Sequence, residues 1–154
     1  MYVTSARMLL AAIAAVVLGA GSASAGKDWV ALKAGNVFSL DAPRGTHYEP
    51  QQGIDSFVGE FAGPGFALDF DYGNYSDRLG DLRADPEFQV ENTRIDGHDA
   101  VIVSGPGPRD RGCSATFTGV YVTVDSYNAL EMNACTDGDK VGTLKAMFRS
   151  LKFH

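Results

Sequence analysis

The stretch GIDSFVGEFAGPGFALDFDYGNYSD, residues 53–77, decides the predicted fold, because two apolar runs in it flank the tight connector Gly63-Pro64-Gly65. Such a pattern is typical of a β-hairpin with arms at 54–62 and 66–72. Side chains alternate along a strand, so the second arm has one apolar and one polar face. The apolar face carries Phe66, Leu68, Phe70 and Tyr72, and the other face carries Ala67, Asp69 and Asp71. We therefore predict a half-buried hairpin.

The remaining chain after residue 25 also consists of short apolar runs separated by turn residues. Asp96-Gly97 predicts a second hairpin between 88–94 and 100–104. Apolar residues recur at helical spacing only near the end, between Asp137 or Asp139 and Arg149. Strands first and one helix last predict an α+β fold, a single mainly antiparallel β-sheet of short hairpins with a C-terminal helix packed on it.

The N-terminal segment predicts export. Arg7 precedes the apolar run 8–18, and Ala23-Ser24-Ala25 follows it, which is the order of a secretory signal peptide cleaved after residue 25. An uncleaved helical anchor is the alternative, but the run is shorter than the roughly 18 to 20 residues that span a bilayer. We therefore expect residues 26–154 to form a single periplasmic or secreted domain without a permanent membrane anchor.

The charge of the chain limits its partners. Nineteen acidic and thirteen basic residues give a formal net charge of −6, and removal of Arg7 makes the mature chain one unit more negative. Such a chain repels nucleic acid and anionic lipid, so we expect no nucleic-acid partner and favour a basic or neutral one. No motif for a cofactor is present, and we expect none.

Two cysteines, Cys113 and Cys135, lie in the exported part. An oxidising compartment permits a disulfide between them, and their positions in the predicted strands allow both to project from the same face. The alternative is a pair of free buried thiols. We predict the disulfide.

Three further segments resemble a known group. VFSLDAPRG at 37–45, TRIDGHDAVIV at 93–103 and KAMFRSLKF at 145–153 resemble the PsbP-like α/β sandwich group, and residues 53–76 resemble an uncharacterised family of exported bacterial proteins. The resemblance implies a non-enzymatic accessory or binding module. It supplies no motif that carries a binding site to this chain.

Residues that resemble catalytic or metal sites do not complete one. DFDYGNYSDRLG, residues 69–80, has aspartates at three calcium-loop positions, but Asn74 stands where the loop needs glycine and Gly80 where it needs glutamate. Ser56 lacks the flanking glycines of a nucleophile elbow. An acid pair such as Glu60 and Asp69 keeps a glycosidase mechanism open. We therefore assign no metal ligand and no catalytic residue.

The predicted function is that of an exported, non-enzymatic binding or accessory module for a protein or small-molecule ligand that no motif identifies. The alternative is a periplasmic hydrolase with an acidic site on the 54–77 hairpin. The candidate binding residues fall in two places. The first is the end of the hairpin, with Asp71, Tyr75 and Asp77, and the second is the exposed loop 105–112, with Arg109, Asp110 and Arg111. Either group is also compatible with an ordinary solvated surface.

Overall fold

A computed structural model describes residues 28–74, 76, 79–107 and 112–154, apart from the side chain of Asp81. The predicted signal peptide, residues 1–25, lies outside the described residues. So do five of the predicted site residues, namely Tyr75, Asp77, Arg109, Asp110 and Arg111.

Most of the chain forms a large antiparallel sheet of seven strands. These are β3 His47–Pro50, β4 Phe57–Gly63, β5 Phe66–Gly73, β6 Gln89–Ile95, β7 His98–Pro106, β8 Thr116–Thr123 and β9 Ala129–Thr136. Their order across the sheet is β3-β4-β5-β9-β8-β7-β6. The two predicted hairpins are present as β4–β5 and β6–β7. In the second, Asp96 and Gly97 have φ angles of 50° and 85°, the left-handed pair that a two-residue hairpin turn requires.

The remaining strands form a second sheet, so the α+β class is confirmed but the prediction of a single sheet is wrong. In this small sheet β2 Phe38–Pro43 lies between β1 Trp29–Ala34 and β10 Lys152–Phe153. The predicted helix is present as α1 Val141–Arg149, preceded by a 3₁₀ turn at Gly138–Lys140. No side-chain hydrogen bond caps the N-terminus of either of these two helical segments.

The size of the large sheet explains why a second sheet is needed. Seven strands span about 29 Å across the sheet, whereas the nine residues of α1 are only about 13 Å long. The helix therefore covers part of the apolar face, and the small sheet covers the rest. Phe38 and Leu40 of β2 and Leu144, Met147 and Phe148 of α1 are buried in one core with this face. Phe38 makes an edge-to-face contact with Phe70 of β5, with ring centroids 5.1 Å apart.

Two polar side chains, Asp96 and Ser150, hold the small sheet in place through three hydrogen bonds. The Asp96 carboxylate accepts hydrogen bonds from the Lys152 side chain at 3.0 Å and from the Phe153 backbone N–H at 2.8 Å. The Ser150 hydroxyl accepts a hydrogen bond from the Asp41 backbone N–H at 2.8 Å. β10 is thereby fixed to both sheets, because Asp96 belongs to the β6–β7 turn.

The opposite face of the large sheet, here the outer face, is only partly covered. The segment 79–88, which includes a 3₁₀ helix at Gly80–Arg83, packs Leu79, Leu82 and Phe88 onto one half of it. The predicted Cys113–Cys135 disulfide is present at the edge of this apolar cluster, with Cα atoms 5.6 Å apart. Such a bond is compatible with an exported protein. Within the described part of the chain, no helix is both long and apolar enough to span a bilayer.

Candidate ligand-binding cleft

The outer face carries a cleft of about 510 Å³, which we call the polar cleft. Outward-facing residues of β6 to β9 form its floor, and its walls are formed by Asn74, Ser76 and Arg83 and by the β8–β9 turn. The residues that line it include Arg83, Asn92, Asp99, Tyr121, Thr123 and Asp125. A volume in this range holds a small organic molecule.

Strand register places the floor residues side by side. Tyr121 of β8 lies opposite Val101 of β7, which lies opposite Asn92 of β6. In the next row, Thr123 lies opposite Asp99. Since all of these positions share the outer face, the floor combines an aromatic and aliphatic surface with amide, hydroxyl and carboxylate groups. An apolar surface with a few polar groups is the usual composition of a ligand site.

The β8–β9 turn forms a rigid wall of the cleft because Asp125 organises it. One Asp125 carboxylate oxygen accepts hydrogen bonds from the backbone N–H groups of Tyr127 at 2.7 Å and Asn128 at 2.8 Å. The Asn128 side-chain amide donates to both carboxylate oxygens. These hydrogen bonds lower the pKa of the Asp125 carboxyl, the side-chain bond from Asn128 contributing most. The turn presents Tyr127 to solvent with 74% of the residue exposed.

The opposite wall supplies a cation. The Arg83 guanidinium lies over the Tyr121 ring, with its central carbon 5.4 Å from the ring centroid. This is a cation–π contact between an exposed arginine and a buried ring. Among the described residues, no carboxylate lies within ion-pair distance of Arg83.

Arg83 is positioned by the segment 79–88 and by Glu131. Leu79 is completely buried although its φ angle is 60°, a conformation that costs energy for a residue with a large side chain. Its backbone N–H donates a hydrogen bond of 3.4 Å to the buried Glu131 carboxylate. This contact, together with buried Leu82, fixes the 3₁₀ helix that ends at Arg83.

A shallower groove of about 500 Å³, here the apolar groove, adjoins the polar cleft across the β8–β9 turn. Phe57, Tyr72 and Tyr127 line it together with Ile54, which is fully exposed. Burial, and then the negative charge of Asp125, raises the pKa of the Tyr72 hydroxyl. The groove also contains Ser56, and no histidine is among the described residues that line it. A serine without a base nearby lacks the means of activation that a serine hydrolase needs.

The uncovered half of the outer face carries a row of carboxylates. Glu49, Glu60 and Asp69 lie opposite each other on β3, β4 and β5. Burial raises the pKa of the Glu60 carboxyl, and the charges of Asp69 and Glu49 raise it further. Glu60 and Asp69 lie directly opposite each other on adjacent strands, and hydrogen bonding with the Asp69 side chain is a further, smaller cause of the raised pKa of Glu60. The row therefore concentrates negative charge on this part of the outer face.

Of the six residues predicted as a binding site, only Asp71 is described. It faces outward between Val58 and Glu131, and one of its carboxylate oxygens is buried without a hydrogen-bond partner in the described structure. Asp71 is not among the residues that line the polar cleft, but it is joined to the cleft floor through Glu131, which lies opposite Tyr121. The other five, at 75, 77 and 109–111, lie outside the described residues, and their roles stay predictions.

The sequence reasoning missed the residues that the structure brings together in the polar cleft. Arg83, Asn92 and Thr123 come from three separate segments, and each is unremarkable in its local sequence. Asp125-Ser126-Tyr127 is typical of a turn, but this pattern does not indicate a ligand site. Within the described part of the chain, no group of three histidine, cysteine or acidic side chains has the arrangement of a metal site. No protein-family model and no curated protein matches the chain.

Proposed function

We propose that this protein is an exported, non-enzymatic binding module whose recognition site is the polar cleft. The observation that carries the proposal is the combination of a cleft large enough for a small molecule with side chains of tyrosine, asparagine, threonine and arginine on fixed strands and a hydrogen-bonded turn. Rigid aromatic side chains surrounded by short hydrogen-bonding ones are characteristic of binding surfaces.

The proposed location, role and ligand class are each supported by a different observation. Periplasmic or secreted location is supported by the N-terminal sequence and is compatible with the Cys113–Cys135 disulfide. An accessory role is what the PsbP-like resemblance implies. A small molecule is favoured over a protein as ligand because the cleft is concave, although exposed Ile54 and Tyr127 beside it would suit a larger partner.

The test is to map binding on the folded protein. Residues 26–154 labelled with ¹⁵N are titrated with a panel of amino acids, neutral sugars, sugar acids, hydroxy acids and phosphorylated sugars. Binding in the polar cleft predicts saturable shifts of the backbone amide signals of Asn92, Thr123 and Asn128.

Two variants locate the binding site. Thr123→Trp fills the cleft and should abolish these shifts, whereas Ala31→Trp places the same side chain on exposed β1 of the small sheet and should leave them unchanged. Shifts that persist in Thr123→Trp, or that are scattered over the surface, would contradict the proposal.

A further inference from the structure

We propose that the polar cleft selects a small hydroxylated carboxylate, the chemical class of the sugar acids, and that Arg83 binds its carboxylate group. This inference rests on the binding function proposed above and adds the chemistry of the ligand. The chain as a whole is acidic, so the charged side chains that line the cleft decide whether an anion can bind there.

Both carboxylates of the cleft are already engaged within the protein. Asp125 accepts hydrogen bonds from the backbone of Tyr127 and from the backbone and side chain of Asn128. Asp99 has Arg94 on the neighbouring strand as an ion-pair partner at 3.7 Å. Arg83, the cation among the described residues that line the cleft, has no carboxylate partner within the described part of the chain. Its guanidinium can therefore pair with an anionic group of a ligand.

The geometry of Arg83 favours a carboxylate. Arg83 lines the cleft, and the central carbon of its guanidinium lies 5.4 Å from the centroid of the Tyr121 ring. A cation–π contact uses the face of the guanidinium plane, whereas hydrogen bonds to a carboxylate use the N–H groups at its edge. Two parallel N–H groups match the two oxygens of a carboxylate and bind it in a bidentate way, which a lysine cannot reproduce. A single guanidinium also suits a single negative charge better than the double charge of a phosphate monoester.

The neighbouring side chains favour hydroxyl groups on the same ligand. Asn74, Asn92 and Thr123 line the cleft, and the described structure contains no hydrogen bond from any of their side chains. An amide offers both donors and acceptors, and a hydroxyl offers both as well. Such groups suit a ligand with hydroxyls at several positions, whereas an apolar acid would leave them unpaired at a cost.

The experiment compares three probes of similar size in the same NMR titration at low salt. These are D-glucuronate, neutral D-glucose and D-glucose 6-phosphate. We expect glucuronate to shift the amides of Asn92 and Thr123 with an affinity at least about tenfold higher than glucose, since a bidentate charge-assisted pair contributes that much or more. Added salt should weaken glucuronate binding and leave glucose binding unchanged.

Three arginine variants test the assigned residue. Arg83→Gln should reduce glucuronate affinity to that of glucose, and Arg83→Lys should retain only part of the preference because it keeps the charge without the planar group. Arg44→Gln, which removes an exposed arginine in the turn between β2 and β3, outside the residues that line the cleft, is the matched control and should change the affinity by less than about twofold. The melting temperature of each variant checks that the fold is intact.

The results separate this inference from the function on which it rests. Equal affinity for glucose and glucuronate, unchanged affinity in Arg83→Gln, or tighter binding of glucose 6-phosphate would each overturn the carboxylate assignment while leaving a binding cleft. Should Arg83→Gln fail to fold, the salt dependence and the Arg83→Lys variant decide the same question. If none of the three probes shifts the amide signals of the cleft, the inference is overturned. If no compound of the wider panel shifts them either, the proposed function is overturned as well.

Discussion

Replacing Asp96 by asparagine should loosen the contact between the two sheets. Asp96 has a φ angle of 50°, and asparagine tolerates this left-handed conformation, so the variant changes the charge without straining the turn. The aspartate accepts hydrogen bonds from the Phe153 N–H at 2.8 Å and from the Lys152 ammonium group at 3.0 Å. An amide can present only one oxygen, and it turns a donor toward the other partner.

The expected loss follows from these two contacts. A hydrogen bond to a charged acceptor contributes about 1.5 to 3 kcal/mol, and a partly exposed ion pair contributes about 0.2 to 1 kcal/mol. The asparagine oxygen retains part of the first contribution. We therefore expect Asp96→Asn to lower the free energy of unfolding by about 1 to 2 kcal/mol near neutral pH. Urea unfolding measures this difference.

The pH dependence gives the prediction a second test. The hydrogen bond from Phe153, and then the contact with Lys152, lowers the pKa of the Asp96 carboxyl below its ordinary value of 3.8. The unfolded chain therefore binds this proton more readily than the folded chain. The stabilisation by Asp96 is fully present at pH values above 3.8, and it is lost as the pH falls through the lower pKa of the folded state. The difference in the free energy of unfolding between wild type and Asp96→Asn should therefore become smaller as the pH is lowered.

A control on the same hairpin excludes a general charge effect. The Asp99 side chain is 85% exposed and has only the 3.7 Å contact with Arg94, so Asp99→Asn should change stability by less than about 0.5 kcal/mol. The reasoning is refuted if Asp96→Asn and Asp99→Asn have the same effect, or if the Asp96→Asn loss is as large in acid as at neutral pH.

Two further changes test the outer face. Glu60→Gln removes a carboxylate whose pKa burial and neighbouring charges raise, so urea unfolding near neutral pH should show a gain of about 0.2 to 1 kcal/mol. The gain should vanish below pH 4.5, the ordinary pKa of glutamate, because the carboxyl group is then protonated in both the folded and the unfolded state. A loss of stability in Glu60→Gln at neutral pH would contradict the prediction. Reduction of the Cys113–Cys135 disulfide, which closes a loop with a sequence separation of 22, should cost about 3 kcal/mol. Intact mass before reduction should show no free thiol, and the double serine variant, which resists reduction, should match the reduced protein in stability.

The parts of the fold that could be predicted from the sequence are those encoded locally. Alternation in 66–72 gave a correct half-buried strand, and Asp96-Gly97 gave a correct turn. The small sheet was not predicted because its central contact joins β2 to β10, over a hundred residues away, and no local pattern records such a pairing. The sequence of β3 also favours a loop, because His47, Glu49 and Pro50 are unusual in an interior strand, although they are acceptable at the sheet edge where β3 lies.

The candidate site was the least predictable part for a related reason. The outward-facing positions of β6 to β9 look like an ordinary solvated strand face when each strand is read alone. Only the register that brings Asn92, Val101 and Tyr121 into one row shows that they form a common floor. The position of Arg83 above that row depends on buried Leu79 and Glu131, and neither residue signals this in the sequence.

The position of β2 in the small sheet also has a kinetic consequence. One of its edges pairs with the adjacent β1, but the other is closed only by β10, and the Asp41–Ser150 hydrogen bond beside it spans 109 residues. Contacts between such distant segments form late, because the entropy of closing a long loop must be lost before any contact compensates for it. Until β10 arrives, the free edge of β2, with Phe38 and Leu40 beside it, can pair with another chain. We therefore expect slow folding, and we expect the association of partly folded chains to begin at this edge.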